Sequence, residues 1–429
     1  MAEILPLTAL HYDQAVAGPL DELVAPPYDV IDDDLRAELT SRSPHNVVNI
    51  DLPQTDGPED PYAHAAQLLQ QWRDEGAVVQ DDTPAIWPLT QDYTGPDGRR
   101  QTRSGFLCRV RVEDYGAGRI RPHERTHPGP KQDRLDLTRA TRSNLSPIFS
   151  LFSDPGNAAW AALAPHIAAT ATEPFATTRD PDGTVNRLWR VTDPQALEAV
   201  TDVVAKAELL IADGHHRYET ARAYAEEIGG EGPHRWVLMC LVALEDPGLT
   251  VFPTHRLISG LESESGRQDA LDRTIREQFD VLELPDRGSL VPEPRAGDEA
   301  VHIGYMDALG QVPYMLSLKE SSNVDQLLAD HSEPYRQLDT AVLEAVILKG
   351  ALGMTDEQID HRDGLDYARD FEAALDALDS EEVDAGFFMA PTPIQQVQEV
   401  AESGESMPPK STYFFPKVPT GLVFNPLFD

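Results

Sequence analysis

The sequence predicts a mixed α/β (α+β) protein, and three features of its 429 residues predict it. Short apolar runs such as 209–211 and 236–244 have strand length and end in turn residues. Amphipathic stretches with a 3.6-residue period, such as 61–76, alternate with them. The length allows two or three domains with full hydrophobic cores.

Taken in order, Ala25-Pro26-Pro27-Tyr28-Asp29-Val30 reads as an extended turn, because a residue before proline is kept out of the helical region. Residues 46–50 read as a strand and 61–76 as a helix, with Ala65, Leu68, Leu69 and Trp72 on one face. Residues 86–89 and 104–112 read as strands, and 94–98 as the loop of a hairpin. A polar stretch, 119–134, gives way to a helical run ending at Asn144. A helix follows at 155–171, a hairpin at Asp182-Gly183, a strand at 188–191 and a helix at 194–206. The helix 217–228 is expected to bury Tyr218, Ala221, Ala225 and Ile228, and the apolar run 236–244 reads as an interior strand. A composition shift puts a domain boundary near residue 260. Beyond it come a strand pair at 301–305 and 314–318, an apolar helix at 338–352 and a buried strand at 385–390. Thr392 is placed to cap a helix that starts with Pro393.

The formal charge is −38, with acid spread along the chain and only six lysines among 35 basic residues. This balance suits a salt-adapted (halophilic) cytosol and opposes sequence-independent nucleic-acid binding, which needs a basic face. No apolar window reaches membrane-spanning length, and the N-terminus has neither the basic start nor the apolar run of a signal peptide, so a cytoplasmic location is expected. Two cysteines, Cys108 and Cys240, rule out a cysteine metal cluster.

The densest chemistry lies at Asp213-Gly214-His215-His216-Arg217, directly after the 209–211 strand and before a helix. A helix start carries unpaired N–H groups and the positive end of the macrodipole, so it favours an anion. Gly214 can take a positive φ, and His and Arg add charge-assisted donors. In so acidic a chain, cations gathered at one turn point to a site for phosphate or carboxylate; the plain alternative is a histidine-rich surface turn.

His123-Glu124-Arg125-Thr126-His127 matches the two-histidine zinc signature, but that chemistry needs a continuous helix. Pro128, Gly129 and Pro130 would end a helix there and leave one turn from Pro122, although a metal-dependent hydrolase remains an alternative. The same segment also reads as a carboxylate base, Glu124, among the cations His123, Arg125, Lys131 and Arg134. Its bland counterpart is a solvated, salt-bridged loop. Lys410-Ser411-Thr412 is a third candidate for a charged ligand, and Tyr28, Asp29 and Thr254-His255-Arg256 are weaker ones. Walker, dinucleotide-binding and nucleophile-elbow motifs do not occur in the sequence.

These blocks, together with Asn144-Leu145-Ser146-Pro147-Ile148-Phe149, resemble the signature of domain-of-unknown-function family 1015, in order over nearly the whole chain. The Asp-Gly-His-His-Arg turn is also similar to that of the ParB/sulfiredoxin-like fold, some members of which are free L-serine kinases. The family itself has been linked to serine kinases that use pyrophosphate. The resemblance implies a ParB/sulfiredoxin-like catalytic region over 1–260. It also implies a C-terminal α/β region over 261–429 that contributes to or covers the site. The implied activity is a small-molecule phosphotransferase making O-phospho-L-serine from pyrophosphate or a nucleotide. Glu124 would take the serine proton, with Asp213 assisting it or orienting Mg2+, and His215 would be catalytic. Gly214, His215, His216 and Arg217 would hold the transferred phosphoryl group. His123, Arg125 and Lys131 would hold the donor, and Thr126, Lys410, Ser411 and Thr412 would complete the substrate site. The expected partners are a small-molecule substrate and its donor, with no nucleic acid and no membrane; a homodimer is compatible. A ParB-like nucleotide-binding or regulatory protein without kinase activity is the other alternative.

Overall fold

The structure, a computed structural model, describes residues 2–55, 57, 59–95, 98–115, 119–124, 128–169, 173–261, 266–295 and 300–428. The fold is mixed α/β, in two compact units. The first takes the chain up to Pro122, the following stretch to Thr250 and the C-terminal segment from Pro416; the second takes His123, Glu124 and the chain from Val251 to Phe415.

The first unit is built on a nine-stranded sheet. Its strands are β1 (Ile4–Leu5), β2 (Trp87–Thr94), β3 (Arg100–Arg111), β4 (Ile120–Arg121), β5 (Ile148–Phe152), β6 (Ala176–Arg179), β7 (Val185–Leu188), β8 (Leu209–Asp213) and β9 (Trp236–Ala243). They lie in the order β4-β8-β5-β9-β3-β2-β7-β6, with β1 also on β3. β9 runs parallel to β5 and β8 parallel to β4; the other pairs are antiparallel. Central β9 is apolar on both faces because both are covered. The helices of this unit include α1 (Pro61–Asp74), α2 (Pro128–Thr141), α3 (Ala158–Ala169), α4 (Pro194–Val204) and α5 (His215–Ile228). The main core gathers Ile148, Phe152, Val200, Ile211, Tyr218 and Leu241, each almost wholly buried. Each such side chain contributes about 1.5–3 kcal/mol by leaving water.

The second unit carries a six-stranded antiparallel sheet. Its strands are β10 (His255–Ile258), β11 (Phe279–Glu283), β12 (His302–Asp307), β13 (Tyr314–Leu318), β14 (Leu365–Ala368) and β15 (Ala385–Phe388), in the order β11-β13-β12-β15-β10-β14. Helices α6 (Arg267–Gln278), α7 (Asp339–Leu343, running on as a π-helix over Glu344–Ala351), α8 (Phe371–Asp379) and α9 (Ile394–Glu402) belong to it. No helix among the described residues is long and apolar enough to cross a membrane.

Four local expectations are corrected. Residues 46–50 are not a strand; Val48–Asp51 is a short helix. Asn46 overrides the β-branched run, because its Oδ1 accepts from Val48 N at 3.0 Å and its Nδ2 donates to Glu22 O and Val24 O. Pro128, Gly129 and Pro130 begin helix α2 rather than end one, since proline needs no N–H partner in the first turn. Ile228 is 52 % exposed at the end of α5. Thr392 does not cap α9; its hydroxyl donates to Ser411 O at 2.8 Å. Both cysteines are free and buried, and the strand register sets Cys108 opposite Met239 and Cys240 opposite Leu107.

Candidate functional site

The 213–217 turn is built where β8 leaves the sheet. A bulge between Ile211 and Asp213 breaks the register with β5 and re-aims the strand end. Gly214 follows at φ 93°, ψ 30°, and α5 starts at His215. A Cβ on residue 214 would stand 2.9 Å from Arg217 Nε, so glycine is required both by the left-handed backbone and by the packed guanidinium.

Asp213 is held on both oxygens. Arg217 Nη2 donates to Oδ2 at 2.5 Å, and Lys417, returning with the C-terminal segment, donates to Oδ1. Burial alone would raise the Asp213 pKa; the charges of Lys417 and then Arg217 hold it well below the usual carboxylate range. Arg217 Nη1 donates to Ser146 Oγ at 2.7 Å and to Pro147 O. Thr420 Oγ1 donates to Ser146 Oγ at 2.9 Å. The turn therefore sets two cations and a helix N-terminus on one carboxylate, in a chain of charge −38. That is the electrostatic requirement for binding an anion. His215 is buried at the helix start, and His216 is half-buried beside it.

Gly214→Ala should lower stability by about 1–3 kcal/mol, the cost of a left-handed non-glycine residue plus displacement of Arg217. It should also weaken binding of pyrophosphate to the purified protein. Thermal unfolding and calorimetric titration read the two effects, and an unchanged midpoint would show that the turn is not strained.

A cleft of about 430 Å3, counting the space at its mouth, opens beside Arg217 and is lined by Tyr28, Asp51, Arg134 and Ser146 among others. Arg134 Nη1 donates to Asp51 O at 2.7 Å and to Asp51 Oδ1 at 3.2 Å, and its guanidinium lies 4.5 Å from the centre of the Tyr28 ring. Burial pushes the Tyr28 hydroxyl up to about 12, so it stays a donor at neutral pH. Lys131 on α2 pairs with Glu219 on α5 at 3.1 Å.

The second unit brings together three other residues singled out from the sequence. His123 is fully buried, its Nε2 lies 2.9 Å from Thr412 Oγ1, and Glu124 Oε1 lies 3.9 Å from the same nitrogen. Phe414 packs edge-on against the imidazole, and Met407 N donates to His123 O at 2.7 Å. The Glu124 side chain keeps 26 % of its surface exposed. Lys410 is exposed, with a left-handed backbone at φ 56°, whereas Ser411 is buried and donates to Pro408 O. Arg256, buried on β10, reaches the carbonyls of Pro409 and Lys410 and steadies that turn. His255 accepts from Met389 N, and burial lowers its pKa to about 4, which makes it a neutral core residue. Arg125, Thr126 and His127 lie outside the described residues.

Lys417 and Ser146 are site residues that sequence reading gave no role. Lys417 is one of only six lysines and lies in the block that also holds Lys410, but its partner Asp213 is 204 positions away. No local spacing announces such a contact.

The model of a family described as "Protein of unknown function (DUF1015)" matches residues 4–341. No curated protein matches the chain. Among solved structures, a conserved hypothetical protein from Pyrococcus furiosus is 14 % identical, over 71 % of this chain and 92 % of its own, with a TM-score of 0.34. A free serine kinase in complex with AMP is 15 % identical, over 71 % and 89 %, at 0.34. SbnI with a C-terminal truncation, from Staphylococcus aureus, is 12 % identical, over 74 % and 81 %, at 0.34. Likenesses this remote assign no role to any residue.

Proposed function

We propose that this chain, which belongs to the DUF1015 family of proteins of unknown function, is a small-molecule phosphotransferase. The observation that carries the reading is the 213–217 turn: a left-handed glycine at a helix start, with Lys417 and Arg217 outnumbering the one carboxylate between them. Phosphoryl transfer asks little covalent chemistry of a protein, chiefly positioning and charge neutralisation. The likeness of the Asp-Gly-His-His-Arg sequence to the turn of free serine kinases supports L-serine as acceptor. Pyrophosphate or a nucleotide is the donor.

In this reading the serine hydroxyl oxygen attacks the terminal phosphorus of the donor. A new O–P bond forms as the bond to the bridging oxygen breaks, and the donor remnant leaves as phosphate or a shorter nucleotide. The family resemblance gives Glu124 the part of accepting the hydroxyl proton. Lys417, Arg217 and the α5 N-terminus offset the negative charge of the phosphoryl oxygens. Asp213 itself does not fit as a magnesium ligand, because each of its oxygens is already held by a cation. Among the described residues no group of three or more His, Cys, Asp or Glu is arranged to hold a metal ion.

The test is incubation of the purified protein with L-serine and each of pyrophosphate, ADP and ATP, with and without added magnesium. Detection of O-phosphoserine supports the reading; its absence with all three donors sinks it.

A further inference from the structure

We propose that a buried polar row crossing the first unit's sheet, Arg103–Gln91–Asn186–Thr178, is a positioning device that holds Lys417 on Asp213. The four residues stand directly opposite one another on β3, β2, β7 and β6. Each is no more than 2 % exposed. Arg103 Nε donates to Gln91 Oε1 at 3.1 Å, and Nη2 donates to the same oxygen. With its oxygen taken, the Gln91 amide must turn its NH2 outward, to Asn186 Oδ1 at 2.8 Å and to the backbone carbonyl of Lys417 at 2.9 Å. Asn186 in turn donates to Thr178 Oγ1 at 3.2 Å.

The other end of the device touches the strands that carry Asp213. The Arg103 guanidinium lies 4.3 Å from the centre of the Phe149 ring, and Phe149 on β5 is the register partner of Asp213 on β8. The row thus meets the Asp213–Lys417 pair at two points, through the ring of the residue that pairs with Asp213 in the sheet and through a hydrogen bond to the Lys417 backbone. A buried cation and two buried amides are costly compared with apolar residues of the same size. Burial lowers the Arg103 guanidinium to about 10, which shows how poorly the site suits its charge. Arg103 Nη1 has no hydrogen-bond partner among the described residues, so the geometry is fixed from Nε and Nη2 onward, through the Gln91 and Asn186 amides. Here the fixed point is residue 417, on a segment that the Thr420–Ala25 backbone pair also anchors three residues on.

The catalytic meaning of the row rests on the phosphotransfer reading, but the positioning does not. Gln91→Glu keeps the acceptor for Arg103 and converts both donors to acceptors, so only the grip on Asn186 and Lys417 is lost. The experiment is competitive acylation of the intact protein with acetic anhydride at neutral pH, with the rate at each lysine read by peptide mass spectrometry. Lys206 and Lys319 serve as internal references. The expected result is about a tenfold rise at Lys417, the scale of losing about 1.4 kcal/mol of charge stabilisation, with the references unchanged. An unchanged Lys417 in the folded variant, or an equal rise at all three lysines, overturns the proposal. If Gln91→Glu does not fold, Asn186→Ala decides instead; it removes only one acceptor of the Gln91 amide, and a smaller selective rise at Lys417 is expected, its absence again overturning the proposal. The labelling needs no turnover. A wild type that makes no phosphoserine therefore removes the kinase reading without touching this result.

Discussion

Arg217→Ala should lower stability by about 3 kcal/mol and weaken donor binding. The side chains of Arg217 and Asp213 are only 10 % and 12 % exposed, so removing the guanidinium leaves a largely buried carboxylate with one cation instead of two. Breaking a buried pair on one side costs about 3–5 kcal/mol, and the low end applies because Lys417 stays on the other oxygen. Pro147 O also loses the Arg217 donor, while Ser146 Oγ keeps the one from Thr420. At about 2–4 °C per kcal/mol for a unit of this size, the unfolding midpoint should fall by about 6–12 °C. Arg217→Lys should recover part of this, because it restores charge without the fork that spans Asp213 and Ser146. The pH dependence carries the same signature. The folded pKa of Asp213 is depressed, so its contribution is fully present above the unfolded carboxylate value of about 4 and is lost as pH falls below it towards the folded value. Urea midpoints should be little changed by this group from pH 7 to about pH 4 and should fall more steeply below it in the wild type than in Arg217→Ala. Equal acid limbs, or midpoints within 1–2 °C of each other at neutral pH, would show that Arg217 does not hold Asp213.

How far the sequence revealed this arrangement depended on the range of each interaction. The strand–glycine–helix turn is local, so periodicity and the special backbone of Gly214 were enough to place it. The hairpin of β2 and β3 and the pair β12–β13 were legible for the same reason. Asn46 misled because its two side-chain donor bonds reach 22 and 24 residues back and turn a β-branched run into a helix. Pro128 and Pro130 misled because proline marks a helix start and a helix end with the same letter, and only the chain beyond decides which. Histidine-rich spacing drew attention to donors at the turn, whereas the second cation on Asp213 came from the far C-terminus. Burial also sorted residues of like chemistry: His123 and His255 are core side chains, held by Thr412 Oγ1 and Met389 N, while the Glu124 side chain stays partly exposed. A sequence prints all three as polar.

Glu124→Gln should fold as the wild type does and lose about a hundred- to ten-thousandfold in phosphoserine formation, the range for removal of a positioned general base. The substitution is isosteric, and the carboxylate's contact with His123, at 3.9 Å, is too long to be a hydrogen bond. The anchor of this segment, His123 to Thr412 at 2.9 Å, is left intact, as is the bond from Met407 N to His123 O. The unfolding midpoint should therefore move by no more than about 1–2 °C. Donor binding should persist, because the cations at the 213–217 turn are untouched. This combination separates a base from a binding residue: Arg217→Ala weakens binding and stability together, whereas Glu124→Gln removes turnover alone. Single-turnover assays with L-serine and the active donor, beside calorimetric donor binding, measure both halves. Wild-type turnover in Glu124→Gln would remove Glu124 as the base. Lost donor binding with lost turnover would make it a ligand contact instead.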